Sequence, residues 1–132
     1  MPERRGGGVP APDSRELAIA AARAAAEKQG ERIAVLDVRD LIVITDYFVI
    51  TNGTSERQVK SVVDEVETAL RGRGVKPVRR EGVSEGLWVL LDFVDVVVHV
   101  FSPEERDYYD LERLWRDAPT VDWEEAGAAS SG

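Results

Sequence analysis

The order of apolar and polar positions along the chain predicts alternating helices and strands. Leu17 and the alanines after it recur at helical spacing, which predicts a helix that begins after Asp13 and ends near Gly30. A second apolar stripe, at spacings of three and four, covers residues 59–70, and Ser55 is placed to cap that helix. We expect both stripes to belong to the core, with either one remaining a candidate surface for a dimer.

Five apolar runs predict β-strands. The first two cover residues 33–38 and 47–51, and a third, at 75–80, is predicted to lie at a sheet edge because Pro77 cannot donate to a ladder. Only four residues separate the last two runs, so these are predicted to form a hairpin at the sheet centre. The two runs of the hairpin are residues 87–91 and 96–101.

A last helix is predicted to begin at Pro103, to carry Tyr108, Tyr109 and Trp115, and to end at residues 118–119. The element order is then helix, two strands, helix, three strands, helix. Because the strands outnumber the helices that could cross over between them, the sheet is predicted to be mixed, with helices flanking it in an α/β fold.

Length and composition favour one domain. The chain has 132 residues, of which 43% are hydrophobic, and this is enough to close a single core. Residues 1–12 are rich in glycine, proline and arginine, and residues 124–132 end in small residues, so we expect disordered tails around a domain at 13–123. Within it, the connection 39–46 contains the apolar residues 41–43 and is predicted to be partly buried.

The net charge of the chain limits the classes of partner that it is expected to bind. With 17 basic and 25 acidic residues the net charge is −8, so direct reading of nucleic acid is not expected and a basic protein surface is the better partner. The absence of cysteine and the single histidine exclude thiolate catalysis and a multi-histidine metal site within one chain. No apolar run approaches the roughly 20 residues that span a bilayer, and no signal peptide is recognisable, so we expect a cytoplasmic protein.

Two features could carry catalysis, and each has a simpler interpretation. His99 lies within a run of valines, and we interpret it as a buried histidine bonded to a neighbour rather than as a general base. Residues 53–55 follow a strand and open a helix, where backbone amides could hold a phosphate. Because the turn lacks the lysine of a P-loop, we interpret it as a capped helix start.

The same turn is similar to the start of a nucleotidyltransferase site, in which an Asp-x-Asp strand holds two Mg²⁺ ions. In this chain Asp95 is followed by valines, and Asp92 stands three residues before it, so the two carboxylates need not share a strand face. The metal clamp is not encoded. A degenerate or active nucleotidyltransferase is the alternative function.

Seven short blocks in a fixed order span nearly all of residues 33–115, and although each block alone is unspecific, the ordered set is specific. The blocks are VLDV at 35–38, TDYFVI at 45–50, GTS with RQV at 53–59, EG at 81–82, GLWVLLD at 86–92, DVVVHVF at 95–101, and Arg106, Tyr109, Leu111, Glu112, Leu114 and Trp115. With this set the chain resembles the ribosomal silencing factor family, also called Iojap-like proteins.

The resemblance implies a nucleotidyltransferase-like, single-domain α/β fold without the catalytic equipment, so neither enzymatic activity nor a cofactor is expected. It implies binding to the large ribosomal subunit through its protein fourteen, which would keep the subunits apart and repress translation, and a homodimer when free. Val94 departs from the family, which usually has glycine before Asp95. Because valine rarely takes positive φ, we expect a hairpin turn of different shape.

The surface expected to meet the ribosomal protein combines aromatic anchors with acids. Strand alternation places Trp88, Leu90 and Asp92 on one face, and tryptophan often carries much of the energy of an interface. Residues 104–125 hold nine acids and three arginines, interleaved with aromatic residues. The predicted contact residues are Trp88, Asp92, Phe93 and Asp95 of the hairpin and Tyr108, Tyr109, Glu112 and Trp115 of the last helix.

Overall fold

The computed structural model describes residues 13–124, in which helices flank one five-stranded sheet. The predicted tail at 1–12, and all but the first residue of that at 124–132, lie outside the described residues. Within the described part of the chain, no helix combines the length and the apolarity needed to cross a bilayer. The elements are α1 (Ser14–Glu27), β1 (Glu31–Asp37), β2 (Tyr47–Asn52), α2 (Glu56–Arg71), β3 (Arg79–Glu81), β4 (Trp88–Asp92), β5 (Val96–Phe101), α3 (Pro103–Tyr109) and α4 (Leu111–Leu114).

The strands are ordered β1-β2-β5-β4-β3, with β2 and β5 parallel and the other neighbours antiparallel. The prediction of a mixed α/β sheet is therefore confirmed, as is the hairpin of β4 and β5 at its centre. The third strand, predicted at 75–80, is observed only as the short β3 at the sheet edge, because only its last residues pair with β4. The amide of Val78, just after Pro77, donates to the carbonyl of Asp92 and leads the chain into this short pairing.

Helices α1 and α2 cover one face of the sheet, called here the covered face. The carboxylate of Asp13 accepts from the amide of Arg15, and the hydroxyl of Ser55 accepts from the amide of Gln58, so both predicted helix starts are confirmed. The alanine and valine stripes are buried in the core between the helices and the strands. The core position was expected, and it removes both stripes as surfaces for a dimer.

The opposite side of the sheet, called here the half-open face, is covered only in part, by α3, α4 and the segment after them. Leu36, Phe48, Ile50 and Phe101 are buried there, with Trp115 packed against them. The helices do not extend fully over β4, and some side chains on this part of the face are only half-buried. Those half-buried residues are Trp88, Leu90, Asp92 and Val97.

The prediction of one continuous last helix is wrong. Asp110 takes a left-handed backbone conformation, with φ 49° and ψ 56°, and divides the segment into α3 and α4, which ends at Leu114. Aspartate tolerates this conformation better than most residues. The amide of Asp110 still donates to the carbonyl of Arg106, so the break redirects the chain within one turn.

The loop 39–46 is buried less than its sequence predicts. Of its apolar residues, Ile42 packs against the core of the half-open face, whereas Leu41, Val43 and Ile44 are exposed. A single inward-pointing residue is enough to anchor a loop this short. The apolar triplet is therefore divided between core and surface.

Candidate protein-binding surface

Trp88 is held in a fixed orientation on the half-open face. Its indole Nε1–H donates to Nδ1 of His99 over 3.1 Å. The ring stacks on Phe101 of β5 at 5.0 Å and meets Tyr109 of α3 at 4.4 Å between ring centroids. Because these contacts come from two other elements, β5 and α3, the indole is ordered before any partner arrives, which lowers the entropic cost of binding.

His99 holds the Trp88 indole in place through this hydrogen bond. It is 6% exposed, and burial lowers the pKa of its imidazole to about 4, so the ring is neutral near pH 7. With Nδ1 accepting from Trp88, the remaining proton belongs on Nε2. The interpretation of His99 as a buried histidine bonded to a neighbour is confirmed.

Four of the five predicted aromatic residues form one group on the half-open face, and Phe93 is the exception. Tyr108 is 79% exposed and lies edge-on to Tyr109, with ring centroids 5.0 Å apart, which extends the Trp88 cluster to the surface. Trp115 is half-buried and meets Phe48 edge-on at 5.4 Å. Phe48 in turn contacts the imidazole of His99, so Trp115 joins the cluster through buried rings.

Arg106 holds the short helices in place through a buried network of hydrogen bonds. Its guanidinium is buried, although α3 is a surface helix, and it donates to the Asn52 side chain at 3.1 Å and to the Arg32 carbonyl at 2.7 Å. It also forms a bidentate ion pair with Glu112. The arginine therefore ties α3 to α4 and to the ends of β1 and β2. Arg106 belongs to the ordered blocks of the sequence, but no local signal predicts that its side chain is buried.

Glu112 accordingly has a different role from the predicted one. Burial alone would raise the pKa of its carboxyl, but the hydrogen bonds and charge of Arg106 outweigh burial and hold that pKa below its usual range. The carboxylate is thus committed to an internal partner. Through this pair Glu112 joins α4 to α3, the helix that carries Tyr108 and Tyr109.

The hairpin end of the site lies apart from the aromatic end. Trp88 and Asp92 open and close β4, so they are separated by about 13 Å at strand spacing. Asp92 accepts from the amide of Val94 at 2.8 Å and lies 3.6 Å from Arg79, whereas Asp95 is exposed. Phe93 is only 4% exposed and belongs to the core of the covered face, so its assignment as a contact residue is wrong.

Val94 itself adopts the backbone conformation that a glycine would take, with φ at 77°. The expectation of a differently shaped turn is therefore wrong. The amide of Phe93 donates to the carbonyl of Val96, and the carboxylate of Asp92 accepts from Val94, so the bonds around the turn hold the left-handed residue in place. A β-branched residue in this region is strained.

The turn at 53–55 is a capped helix start, as the sequence predicts. The amide of Gly53 donates to the carbonyl of Phe101, and the amide of Thr54 donates to the Gln58 side chain at 2.6 Å. Two of the amides that would be needed to hold a phosphate already have partners. Among the described residues, no cluster of three His, Asp, Glu or Cys side chains is placed to hold a metal ion.

Known proteins match this chain over most of its length. The sequence model of a family described as "Ribosomal silencing factor during starvation" matches residues 11–131. The chain is 44% identical over 106 residues to the ribosomal silencing factor of Bacillus subtilis, an alignment that covers 80% of this chain and 89% of the relative. It is 41% identical over 111 residues to that of Halalkalibacterium halodurans, with 84% of this chain and 95% of the relative covered.

A solved structure has the same fold. The crystal structure of a protein from Chromobacterium violaceum superimposes with a TM-score of 0.76 at 39% identity, covering 79% of this chain and 87% of that chain. The family model, the sequence relatives and the solved structure all agree with the ordered blocks in the sequence. This chain therefore belongs to the ribosomal silencing factor family.

Proposed function

We propose that this chain binds the large ribosomal subunit through its protein fourteen, blocks the joining of the small subunit and so represses translation. Family membership supports a regulatory role at the ribosome. The observation that carries the proposal is the half-open face, where Trp88 is held by a hydrogen bond and by stacked rings yet remains only half-buried. The mechanism is steric and makes or breaks no covalent bond.

The half-open face has the composition of a protein interface. Its centre is apolar, with Trp88, Leu90 and Val97 half-buried, and its hairpin end carries the exposed Asp95. Interfaces commonly combine such an apolar centre with a polar rim, and aromatic anchors supply much of the binding energy. A basic surface with an apolar centre is the complementary partner.

Part of the negative charge expected from the sequence is neutralised within the chain. Glu112 pairs with Arg106, and Asp107 pairs with Arg32 at 2.8 Å. The acids left to meet a basic partner are therefore fewer than the composition suggests, and Asp95 is the foremost of them. The aromatic centre consequently supplies the affinity, while the rim acids add orientation and on-rate.

The same proposal includes a cellular location and an oligomeric state for the free protein. Subunit joining takes place in the cytoplasm, and we place the chain there. As the family resemblance implies, we expect a homodimer when the protein is free. Because the alanine and valine stripes are core, a dimer would have to use another surface, and sedimentation velocity of the free protein tests for it.

The decisive experiment is a sucrose-gradient profile of mixed ribosomal subunits with and without the protein. We expect whole ribosomes to decrease and the protein to travel with the large subunit. Subunits that join equally well at saturating protein would refute the proposal. Calorimetry of the protein with nucleotide and Mg²⁺ tests the nucleotidyltransferase alternative, which requires Mg²⁺-dependent nucleotide binding.

Variants locate the contact. Trp88→Ala should weaken binding to the large subunit by about 30-fold, since losing a central anchor removes on the order of 2 kcal/mol. Tyr108→Ala is a companion variant because the side chain is 79% exposed, so folding is not at risk. Lys60→Ala, on the exposed side of α2, is the matched control and should bind as the unmodified chain does. Unchanged affinity of a folded Trp88→Ala protein would remove Trp88 from the contact.

The rim charges make a separate prediction. Binding should weaken as salt rises, because exposed ion pairs are screened over a Debye length of about 10 Å at 0.1 M. Asp95→Asn should flatten this dependence, since the side chain is exposed at the hairpin end. An affinity that is flat across salt for the unmodified chain would show that the acids only solubilise the protein.

A further inference from the structure

The loop between β1 and β2 exposes bulky apolar side chains that the fold itself does not use. Val43 is 99% exposed and Ile44 is 79% exposed, and Leu41 beside them is also exposed. A single exposed aliphatic residue needs no explanation, but adjacent ones on one loop form a small apolar surface. Removing an exposed valine or isoleucine side chain from water is favourable, so this surface can contribute to binding.

The loop is fixed on both sides of these residues. The amides of Leu41 and Ile42 both donate to the carbonyl of Val38 at 3.0 Å, and the amide of Val38 donates to the carbonyl of Asp46 at 2.9 Å. Ile42 packs against the core of the half-open face, and Thr45 is buried. Val43 and Ile44 are therefore presented by a turn anchored before and after them, which lowers the entropy lost on binding.

The loop adjoins the hairpin end of the half-open face. The carbonyl of Asp95 accepts from the amides of Asp46 and Tyr47, so the end of the loop is bonded directly to the β4–β5 turn. In that turn the side chain of Val94 is 52% exposed, on a backbone with φ at 77°. Apolar side chains are thus exposed on both segments that the carbonyl of Asp95 joins. One of them, Val94, has a strained backbone conformation.

The charges around this surface suit a basic protein rather than a nucleic acid. Asp40 and Asp95 are exposed beside it, and the cation of the loop, Arg39, is paired with Asp37 at 2.7 Å. Phosphates would be repelled by this rim, whereas lysine and arginine side chains would be attracted. The same chemistry characterises the partner proposed for the half-open face.

We propose that Val43, Ile44 and Val94 form a second apolar contact with the same large-subunit protein that meets Trp88. This inference rests on the proposed function and extends its contact surface past Asp95. A standard interface covers about 800 Å² on each partner, a patch about 30 Å across. Trp88 lies about 13 Å from the hairpin end along β4, so both contacts fit within one such patch. The partner surface should offer an apolar hollow bordered by basic residues.

The test measures affinity for purified large subunits by co-sedimentation across a protein titration. The main variant is Val43→Ser combined with Ile44→Ser, and both side chains are exposed, so the fold should be retained. A conservative variant, Val43→Ile with Ile44→Val, keeps the apolar surface. Leu87→Ser is the matched control, because Leu87 is 51% exposed at the other end of β4. Thermal unfolding confirms that each variant is folded.

We expect the serine variant to bind at least tenfold more weakly, and the conservative variant and Leu87→Ser to stay within twofold of the unmodified chain. If the unmodified chain binds and the serine variant binds equally well, the inference is wrong while the proposed function stands. If the unmodified chain does not bind at all, the proposed function itself fails. A serine variant that changes only self-association, seen by sedimentation velocity, would assign the surface to a second copy and overturn the inference.

Discussion

The two faces of the sheet are built in different ways. On the covered face, aliphatic side chains of the strands meet the alanine and valine stripes of α1 and α2, and the residues there are almost all apolar. On the half-open face the cover consists of two short helices held by a buried arginine, and the strand side chains include a histidine and a stack of aromatic rings. The first arrangement supplies stability. The second leaves Trp88 oriented and only half-buried, as the proposed binding requires.

Leu90 and Leu91 give the sharpest test of this division, because they are neighbours on β4 that point to opposite faces. Leu91 is fully buried on the covered face, so Leu91→Ala should lower the free energy of unfolding by about 3 kcal/mol through the cavity it leaves. Leu90 is half-buried, and Leu90→Ala should cost less than about 1 kcal/mol. Urea unfolding measures both values. The division fails if the two losses are equal.

Arg106→Met tests whether the half-open face depends on an ion pair rather than on apolar packing. The change leaves Glu112 and the Asn52 side chain without their donor and should lower the free energy of unfolding by about 2 to 3 kcal/mol. Arg113→Met, at an exposed position on α4, is the control and should stay within about 0.5 kcal/mol. A double-mutant cycle with Glu112→Met gives the coupling, and additive losses would contradict a direct pair.

His99 should make stability depend on pH. Its folded pKa of about 4 lies below the unfolded value of 6.5, so the unfolded chain binds more protons in this window and stability falls as pH falls. Between pH 7 and pH 5 the expected loss of unfolding free energy is about 2 kcal/mol. This is the only histidine in the chain, so His99→Gln should remove that slope. A slope that persists in the variant would mean that another group titrates there.

The smallest expected change in stability is that of Val94→Gly, in the β4–β5 turn at the hairpin end of the half-open face. Glycine adopts φ near 77° without strain, so the free energy of unfolding should rise by about 1 kcal/mol after the entropy of the unfolded chain is counted. Val43→Gly is the control, since Val43 does not have positive φ, and it should not gain stability. If both variants respond alike, the turn at Val94 stores no strain.

Much of the covered face was predictable from local pattern. The spacing of residues 59–70 identifies α2, and the hydroxyl of Ser55 caps it as expected. The hairpin of β4 and β5 follows from two apolar runs separated by a short connection. These signals are local, because helical periodicity and strand alternation are properties of neighbouring residues.

The half-open face was predictable only in part. Trp88 and Tyr109 could be selected as aromatic anchors, but their contact joins β4 to α3 and depends on the chain path between them. The burial of Phe93 and the pairing of Glu112 with Arg106 were missed for the same reason. Whether a charged or aromatic residue faces solvent depends on which distant elements pack over it.

The amino-acid sequence by itself determined the order of the elements, the main amphipathic faces, the acidic charge and the family. The tertiary structure alone decided which acids are paired internally, where the last helix breaks and which apolar residues of the loop 39–46 remain exposed. The physical reason is the range of the interactions. Periodicity and capping act over a few residues, whereas burial, and contacts such as that of Arg106 with Asn52, arise only when segments far apart in the chain are brought together.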